Sequence, residues 1–185
     1  MKTLFTLIFL CCLSVHAETA LQSLEGPDLL KDTPVSLQAQ ADKPLVVIFL
    51  SAKCPCSDSH VSELKSLAKD YPGFAFVGVH SNADEDSALS KAYFSKAQLP
   101  FPVLKDDQAA IADRYKALKT PHVFVVKADG QLLYQGGVSD SHRFEKSSRN
   151  YLREALRDIQ AGQKVKASEE RALGCSIARP TKKTW

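Results

Sequence analysis

The feature that most constrains the fold is an apolar run that ends four residues before a cysteine. Residues 45–50 (Leu-Val-Val-Ile-Phe-Leu) are consecutive apolar side chains, most of them β-branched or aromatic. Such a run predicts a strand that is buried on both faces of a sheet. A helical spacing of apolar residues follows over 61–71. The intervening segment, which contains Cys54-Pro55-Cys56, therefore lies where a buried strand meets a helix.

The rest of the pattern alternates strands and helices and then changes to an antiparallel hairpin. Residues 18–43 are mostly polar and predict a loop with one short strand at 35–37. The later elements are predicted as strands at 74–79 and 103–104, helices at 85–97 and 109–118, a hairpin of 122–126 and 132–134, and a last helix over 144–159. A parallel βαβ half followed by a hairpin and a helix indicates the α/β class, with a central mixed β-sheet flanked by helices.

The N-terminus has the composition of a secretory signal peptide. Lys2 precedes an apolar stretch over 4–13, and Val15-His16-Ala17 offers acceptable residues for cleavage. The stretch is too short to span a bilayer, and no second segment of spanning length follows. We therefore expect a signal peptide at 1–17, a folded domain at 18–165 and a tail at 166–185, in a periplasmic or secreted protein. A buried N-terminal helix is the weaker alternative.

Charge gives no support for binding to nucleic acid or to a membrane surface. The chain has 24 Lys and Arg against 21 Asp and Glu, with no basic run beyond Lys182-Lys183. We expect neither a nucleic-acid partner nor a membrane span.

The cysteines carry the candidate chemistry. Cleavage after Ala17 leaves Cys54, Cys56 and Cys175, an odd number that argues against a purely structural disulfide framework. Cys54 falls close to the N-cap of the predicted helix, with Pro55 in its first turn. Unpaired backbone N–H groups and the helix dipole favour the thiolate there, and the thiolate is the nucleophile.

The partner of Cys54 is open at this point. Cys56 could form a strained disulfide with it if the first helical turn opens, because residues two apart on a helix point to different sides. Cys175 could reach it if the tail folds back over the site. Cys56 could also be a buried, inert thiol.

The other polar residues that stand out are given structural interpretations. We interpret His60 as a solvated helix histidine, His80, His122 and His142 as structural or surface residues, and Asp84, Glu85 and Asp86 as caps of the second helix.

From residue 26 to 180 the chain resembles the thioredoxin superfamily, most closely its peroxiredoxin-like branch with an alkyl hydroperoxide reductase/thiol-specific antioxidant (redoxin) domain. The matching stretches are Lys43–Phe49, Cys54-Pro55, Phe101–Leu104, Thr120-Pro121, Asp129–Gly136 and the tail Gly174–Ile177. The resemblance implies a thioredoxin-like fold, a reactive cysteine at Cys54 and a cis-proline at Pro121, so that Thr120 and Pro121 shape a substrate groove.

The sequence departs from the pattern of true peroxiredoxins, which place a proline seven residues and a threonine three residues before the reactive cysteine. Val47 and Ser51 stand there instead. The leading hypothesis is therefore an exported thiol–disulfide oxidoreductase that acts on protein thiols or disulfides, with Cys54 as nucleophile, Cys56 or Cys175 as resolving thiol and a redox partner protein. Peroxide reduction by Cys54 is the second hypothesis. The third is a non-enzymatic carrier that holds a soft ion such as Cu(I) on these thiols. The oxidoreductase hypothesis calls for no metal or cofactor.

Overall fold

The structure of the protein is a computed structural model that describes residues 21–181, so the predicted signal peptide lies outside the described residues. The described chain forms nine strands and four α-helices. Their bounds are β1 Ser23–Pro27, β2 Pro34–Gln38, β3 Leu45–Phe49, α1 Pro55–Asp70, β4 Ala75–His80, α2 Ser87–Ala97, β5 Val103–Lys105, α3 Ala110–Arg114, β6 Lys119–Thr120, β7 His122–Val126, β8 Leu132–Gly136, α4 Tyr151–Gln160 and β9 Cys175–Ser176.

The central sheet has five strands in the order β5-β4-β3-β7-β8. Strands β3, β4 and β5 pair in parallel, whereas β3 with β7 and β7 with β8 pair antiparallel. Because β3 lies at the centre of the sheet, its five residues are all buried, which is why that stretch of sequence is continuously apolar. The predicted α/β class with a mixed sheet is confirmed.

The side chains of β3 alternate between two hydrophobic clusters, one on each face of the sheet. Val46 and Ile48 belong to a cluster that includes residues of α1, α2 and α4. Val47 and Phe49 belong to a second cluster, which includes residues of α3 together with Ile177 from the C-terminal segment. The sheet is thus covered on both faces, and β3 points its carboxyl end at the turn that carries Cys54.

Three predicted elements differ from the structure. The N-terminal loop contains two paired strands, β1 and β2, rather than one. The third helix ends at Arg114 rather than at residue 118, since Leu118 is 61% exposed and the next residue begins β6. The last helix begins at Tyr151, after the N-cap Asn150, and residues 144–146 form only a 3-10 turn. In the two helices a short turn interrupts a pattern that the apolar spacing alone would continue.

The C-terminal segment, residues 166–181, packs along the domain. Backbone hydrogen bonds join Gln135 of β8 to Ser168 and Glu170. The segment then crosses to β6, with which β9 pairs antiparallel. Ile177 follows and is 5% exposed. In the described range 21–181, no helix is both long and apolar enough to cross a membrane.

Candidate functional site

Cys54 occupies the N-cap of α1, as the sequence predicts. Pro55 is the first residue of the helix, where its missing N–H costs no intrahelical hydrogen bond. The Cys54 side chain lies between the carboxyl end of β3 and the helix and is only 1% exposed. Burial alone would hold this thiol neutral, so its chemistry depends on what surrounds the sulfur atom.

The first neighbour of the sulfur is the loop before β7. The Thr120–Pro121 peptide bond is cis, as the resemblance implies, and the Cys54 thiol donates a hydrogen bond of 3.0 Å to the carbonyl oxygen of Thr120. Thr120 Oγ1 is buried and, among residues 21–181, has no hydrogen-bond partner. A free hydroxyl donor beside the sulfur is available to the thiolate.

The second neighbour is the C-terminal segment. In the β6–β9 pairing, Cys175 lies opposite Thr120 and Ser176 lies opposite Lys119. The approach is so close at Gly174 that a Cβ atom there would overlap the Thr120 carbonyl oxygen. Glycine is therefore required at this position, and the pairing places Cys175 beside Cys54.

These neighbours set the acidity of Cys54. Burial raises its pKa, but hydrogen bonds that the ionised sulfur would accept from the Cys175 side chain, the Thr120 side chain and the backbone N–H groups of Cys175 and Ser57 outweigh that effect. The net result is a Cys54 pKa lowered from 9.0 to about 7. Ser57 is the third residue of α1, so its N–H belongs to the unpaired amides of the helix start. Near neutral pH about half of this thiol is ionised.

The other two thiols are less acidic. The pKa of Cys175 is raised to about 12, chiefly because its thiol donates to Cys54, with burial and the Cys54 charge adding to the effect. Burial, followed by the charge of Cys54, raises the pKa of Cys56. Cys56 is half-buried and Cys175 is exposed, and all three are free thiols. The three predicted cysteines are thus brought together, with the negative charge concentrated on Cys54.

The role of Glu85 is not apparent from the sequence. The prediction that it caps the second helix is wrong, because Asp86 is the residue whose side chain accepts the cap hydrogen bond. The buried Glu85 carboxylate instead accepts hydrogen bonds from the Ser51 hydroxyl and, at 2.7 Å, from the Ala52 backbone N–H. It also lies 3.8 Å from His80. Glu85 therefore fixes the turn that carries Cys54, although no local pattern distinguishes it from its acidic neighbours.

His60 is buried rather than solvated. It is 1% exposed, its Nδ1 donates to the Cys56 carbonyl at 2.7 Å, and its Nε2 lies 2.8 Å from the Ser139 hydroxyl. Burial lowers its pKa, which favours the neutral ring. The prediction of a solvated helix histidine is wrong, and the signal that could have indicated burial is its spacing of four residues from Leu64 on the core side of α1.

His80 and His122 have structural surroundings. His80 is buried with hydrogen bonds to the Leu50 carbonyl and Ser90. Burial lowers the pKa of His122 to about 4. In the part of the chain that the structure describes, no group of three or more His, Cys, Asp or Glu side chains is arranged to hold a metal ion. The copper hypothesis gains no support there.

Comparison with known proteins places these features in a family. The profile of the AhpC/TSA family matches residues 18–135. No match is found among curated proteins. Among solved structures, an uncharacterized conserved protein from Geobacillus kaustophilus is 25% identical, with a TM-score of 0.78 over 88% of this chain and 91% of that one. A hypothetical protein from Sinorhizobium meliloti is also 25% identical, with a TM-score of 0.77 over 88% and 94% of the two chains.

A third similar structure is a secreted Mycobacterium tuberculosis disulfide oxidoreductase homologous to Escherichia coli DsbE. It is 26% identical, with a TM-score of 0.51 over 59% of this chain and 79% of that one. Of these three structures, the two that cover 88% of this chain have no stated activity, and the disulfide oxidoreductase covers 59% of it.

Proposed function

This chain belongs to the AhpC/TSA family, and we propose that within it Cys54 is the nucleophile of a thiol–disulfide oxidoreductase. The observation that carries the proposal is the position of Cys54. It is a buried N-cap thiol with a pKa of about 7, and the C-terminal strand holds a second thiol against it. A thiol that is half ionised near neutral pH provides a large fraction of thiolate and still keeps the nucleophilicity that a more acidic thiol loses.

The first step is attack by the Cys54 thiolate on a substrate disulfide. A bond forms between the Cys54 sulfur and one substrate sulfur, the substrate S–S bond breaks, and the other half leaves as a thiolate. The product is a mixed disulfide on Cys54. The donors that surround the sulfur before the reaction are the Cys175 thiol, the Thr120 hydroxyl and backbone amides.

The second step is attack by Cys175 on the Cys54 sulfur. Cys175 loses its proton as it attacks, and the bond between Cys54 and the substrate sulfur breaks. The substrate half leaves as a thiolate and takes up a proton, so the products are a Cys54–Cys175 disulfide and a free substrate thiol. The hydrogen bond to Cys54 is the main cause of the raised pKa of Cys175, with burial and the charge of Cys54 adding to it. Because the mixed disulfide carries no charge, its formation removes the charge of Cys54 and the hydrogen bond to its thiolate, and Cys175 becomes more acidic at the step that needs it.

Cys56 takes no part in the exchange in this proposal, and the cis-proline loop has a supporting role. Cys56 is the second residue of α1 and lies within the same helical turn as Cys54, so a bridge between them would distort the turn. We therefore assign resolution to Cys175. Lys119 and Thr120 pair with β9 beside the cis-proline and hold it in register, and a polypeptide substrate would use the same edge only after β9 is displaced.

The test uses a neutral disulfide, 2-hydroxyethyl disulfide, at one equivalent, followed by acid quenching, alkylation and mass spectrometry. We expect the wild-type chain to end with a Cys54–Cys175 bridge. The Cys175→Ser variant is expected to stop at a mixed disulfide on Cys54, and the Cys54→Ser variant to stay unreacted.

The matched control is Cys56→Ser, which removes a third thiol from the same turn. It is expected to give the wild-type bridge at a similar rate. A Cys54→Ser variant that reacts as fast as the wild type would reject the assignment of the nucleophile. A Cys175→Ser variant that still forms an intramolecular bridge would move the resolving role to Cys56.

Peroxide reduction is a second candidate, favoured by the family match. In that reaction the Cys54 thiolate attacks one peroxide oxygen, the O–O bond breaks, and the other oxygen leaves as hydroxide, so that Cys54 becomes a sulfenic acid. Cys175 then condenses with the sulfenic acid to give the same disulfide and water. The Ser51 hydroxyl, which stands where peroxiredoxins have threonine, donates to Glu85 instead of Cys54. Treatment with one equivalent of hydrogen peroxide and a sulfenic-acid trap tests this, and absence of any adduct or bridge at Cys54 counts against it.

We also propose export. The support is the signal-like composition of residues 1–17 and the similarity to a secreted oxidoreductase. N-terminal sequencing of the protein recovered from outside the cytoplasm should begin at Glu18. An intact Met1 in that fraction would contradict cleavage.

A further inference from the structure

A cleft of about 720 Å³ lies between α1 and α2, and Cys54 forms part of its wall. It is on the helix side of the sulfur, away from the strand pair of β6 and β9. Three lysines line it: Lys53 before the helix, Lys65 on α1 and Lys96 on α2. Apolar side chains, including Val61 and Ala97, line the space between them. The cleft is thus large enough for a small molecule and rich in positive charge.

The positive charge of the cleft is poorly compensated. Asp58 is its one acidic lining residue, and that carboxylate accepts a hydrogen bond from Tyr93 at 3.1 Å. Burial and the nearby Asp58 charge raise the pKa of Tyr93, which keeps the phenol neutral. Among residues 21–181, the lysine ion pairs join Lys91 to Asp32 and Lys105 to Asp107. No cleft lysine belongs to one of them, so the cleft presents a net positive field to a ligand.

The other approach to Cys54 is occupied by the chain itself. The edge of β6 beside the cis-proline is paired with β9, and the Ile177 N–H extends the pairing by donating to Leu118. A polypeptide strand would have to break these hydrogen bonds before it could use this edge. A small molecule that enters between α1 and α2 would not.

We propose that this cleft binds a low-molecular-weight disulfide that carries carboxylates. The carboxylates face Lys65 and Lys96, and the disulfide lies over Cys54. This inference rests on the proposed function and adds the class of its substrate. The chemistry is the exchange described above: one half of the small disulfide joins Cys54, the other leaves as a thiolate, and Cys175 then releases the first half.

The test compares three disulfides of similar size and different charge. They are the dianion 3,3′-dithiodipropionate, neutral 2-hydroxyethyl disulfide and the dication cystamine. Second-order rate constants are measured for formation of oxidised wild-type protein at pH 7 and low salt. We expect the dianion to react fastest and the dication slowest, with the difference shrinking as salt is added, because screening weakens the attraction.

The Lys65→Gln/Lys96→Gln double variant should lower the rate ratio of dianion to neutral disulfide by about fivefold. The matched control, Lys69→Gln/Lys146→Gln, removes the same charge from exposed positions outside the cleft and should leave the ratio near that of the wild type. An unchanged ratio in the first double variant, or a dianion no faster than the neutral disulfide, overturns the inference. Failure of the neutral disulfide to oxidise Cys54 overturns the proposed function instead, so the two failures are distinguishable.

Discussion

Two regions of the molecule reach Cys54, and they differ in how far along the chain they come from. The start of α1 contributes the Ser57 amide from three residues away, whereas the C-terminal segment contributes Cys175 from the other end of the domain. The local region supplies an electrostatic setting that any helix start would give. The remote region supplies both a hydrogen-bond donor and a second thiol. The acidity of Cys54 is therefore partly local, while the proposed completion of the disulfide cycle depends on the remote region.

The largest expected effect comes from separating the remote region. In Gly174→Ala, the new Cβ would overlap the Thr120 carbonyl oxygen, and backbone cannot yield as a flexible side chain would. Strand β9 therefore has to move away from β6. We expect resolution of the mixed disulfide with 2-hydroxyethyl disulfide to slow by about 100-fold, because the two sulfurs lose their fixed proximity. Rapid-quench mass spectrometry measures the lifetime of that species.

Gly73→Ala is the control for this prediction, since a Cβ at Gly73 has open space around it. It should leave the lifetime of the mixed disulfide unchanged. If Gly174→Ala resolves as fast as this control, the strand pairing does not position Cys175.

The second prediction concerns Glu85, which holds the turn before Cys54 although it lies about 30 residues further along the chain. Glu85 accepts hydrogen bonds from Ser51 and Ala52 in the turn before Cys54. Glu85→Gln replaces one acceptor oxygen by an NH₂ group that faces a donor, so we expect a loss of about 1–3 kcal/mol in the free energy of unfolding. Urea denaturation measures the change. Asp84→Asn, at the exposed neighbouring carboxylate, should change stability little, and an equal loss in both variants would contradict the role given to Glu85.

The difference between the regions also explains what the sequence could predict. The apolar run that forms β3, the helical spacing of α1 and Pro55 at its first position are local signals, so the order of strand, cysteine and helix follows from the sequence alone. The resemblance added the cis bond before Pro121, which local propensity alone does not indicate.

What could not be predicted depends on contacts between distant segments. Residues 166–181 are largely polar and have no helical or strand periodicity, yet they pair with Gln135 and then with Thr120. Glu85 is one of three adjacent acidic residues, and only the tertiary structure turns its carboxylate toward Ser51. Contacts between distant segments determine where these residues lie, and no local pattern in a single sequence indicates such contacts.

The third prediction separates the two regions by their effect on acidity. Cys175→Ala removes the thiol donor and keeps the backbone N–H that also acts on Cys54. Loss of a donor to the thiolate disfavours the ionised form, so the pKa of Cys54 should rise from about 7 toward its ordinary value of 9.0. The pH dependence of iodoacetamide alkylation, measured in a Cys56→Ser background, gives this pKa. A midpoint that stays near pH 7 would show that the Cys175 thiol does not contribute to the acidity.

The smallest expected effect concerns Thr120, which joins the two regions. Its hydroxyl is buried without a partner among residues 21–181 and acts on Cys54 only when the thiol is ionised. Thr120→Val keeps the shape and removes the hydroxyl, so the pKa of Cys54 should rise by less than in Cys175→Ala, because the Cys175 thiol is the larger cause. At pH 5, where Cys54 is neutral, the same variant should be at least as stable as the wild type, since an unsatisfied polar group has been removed. Alkylation at a series of pH values and urea denaturation at pH 5 measure the two effects. A loss of stability at pH 5 together with an unchanged pKa would mean that the hydroxyl serves packing alone, and the acidity of Cys54 would then depend on the Cys175 donors and the helix start.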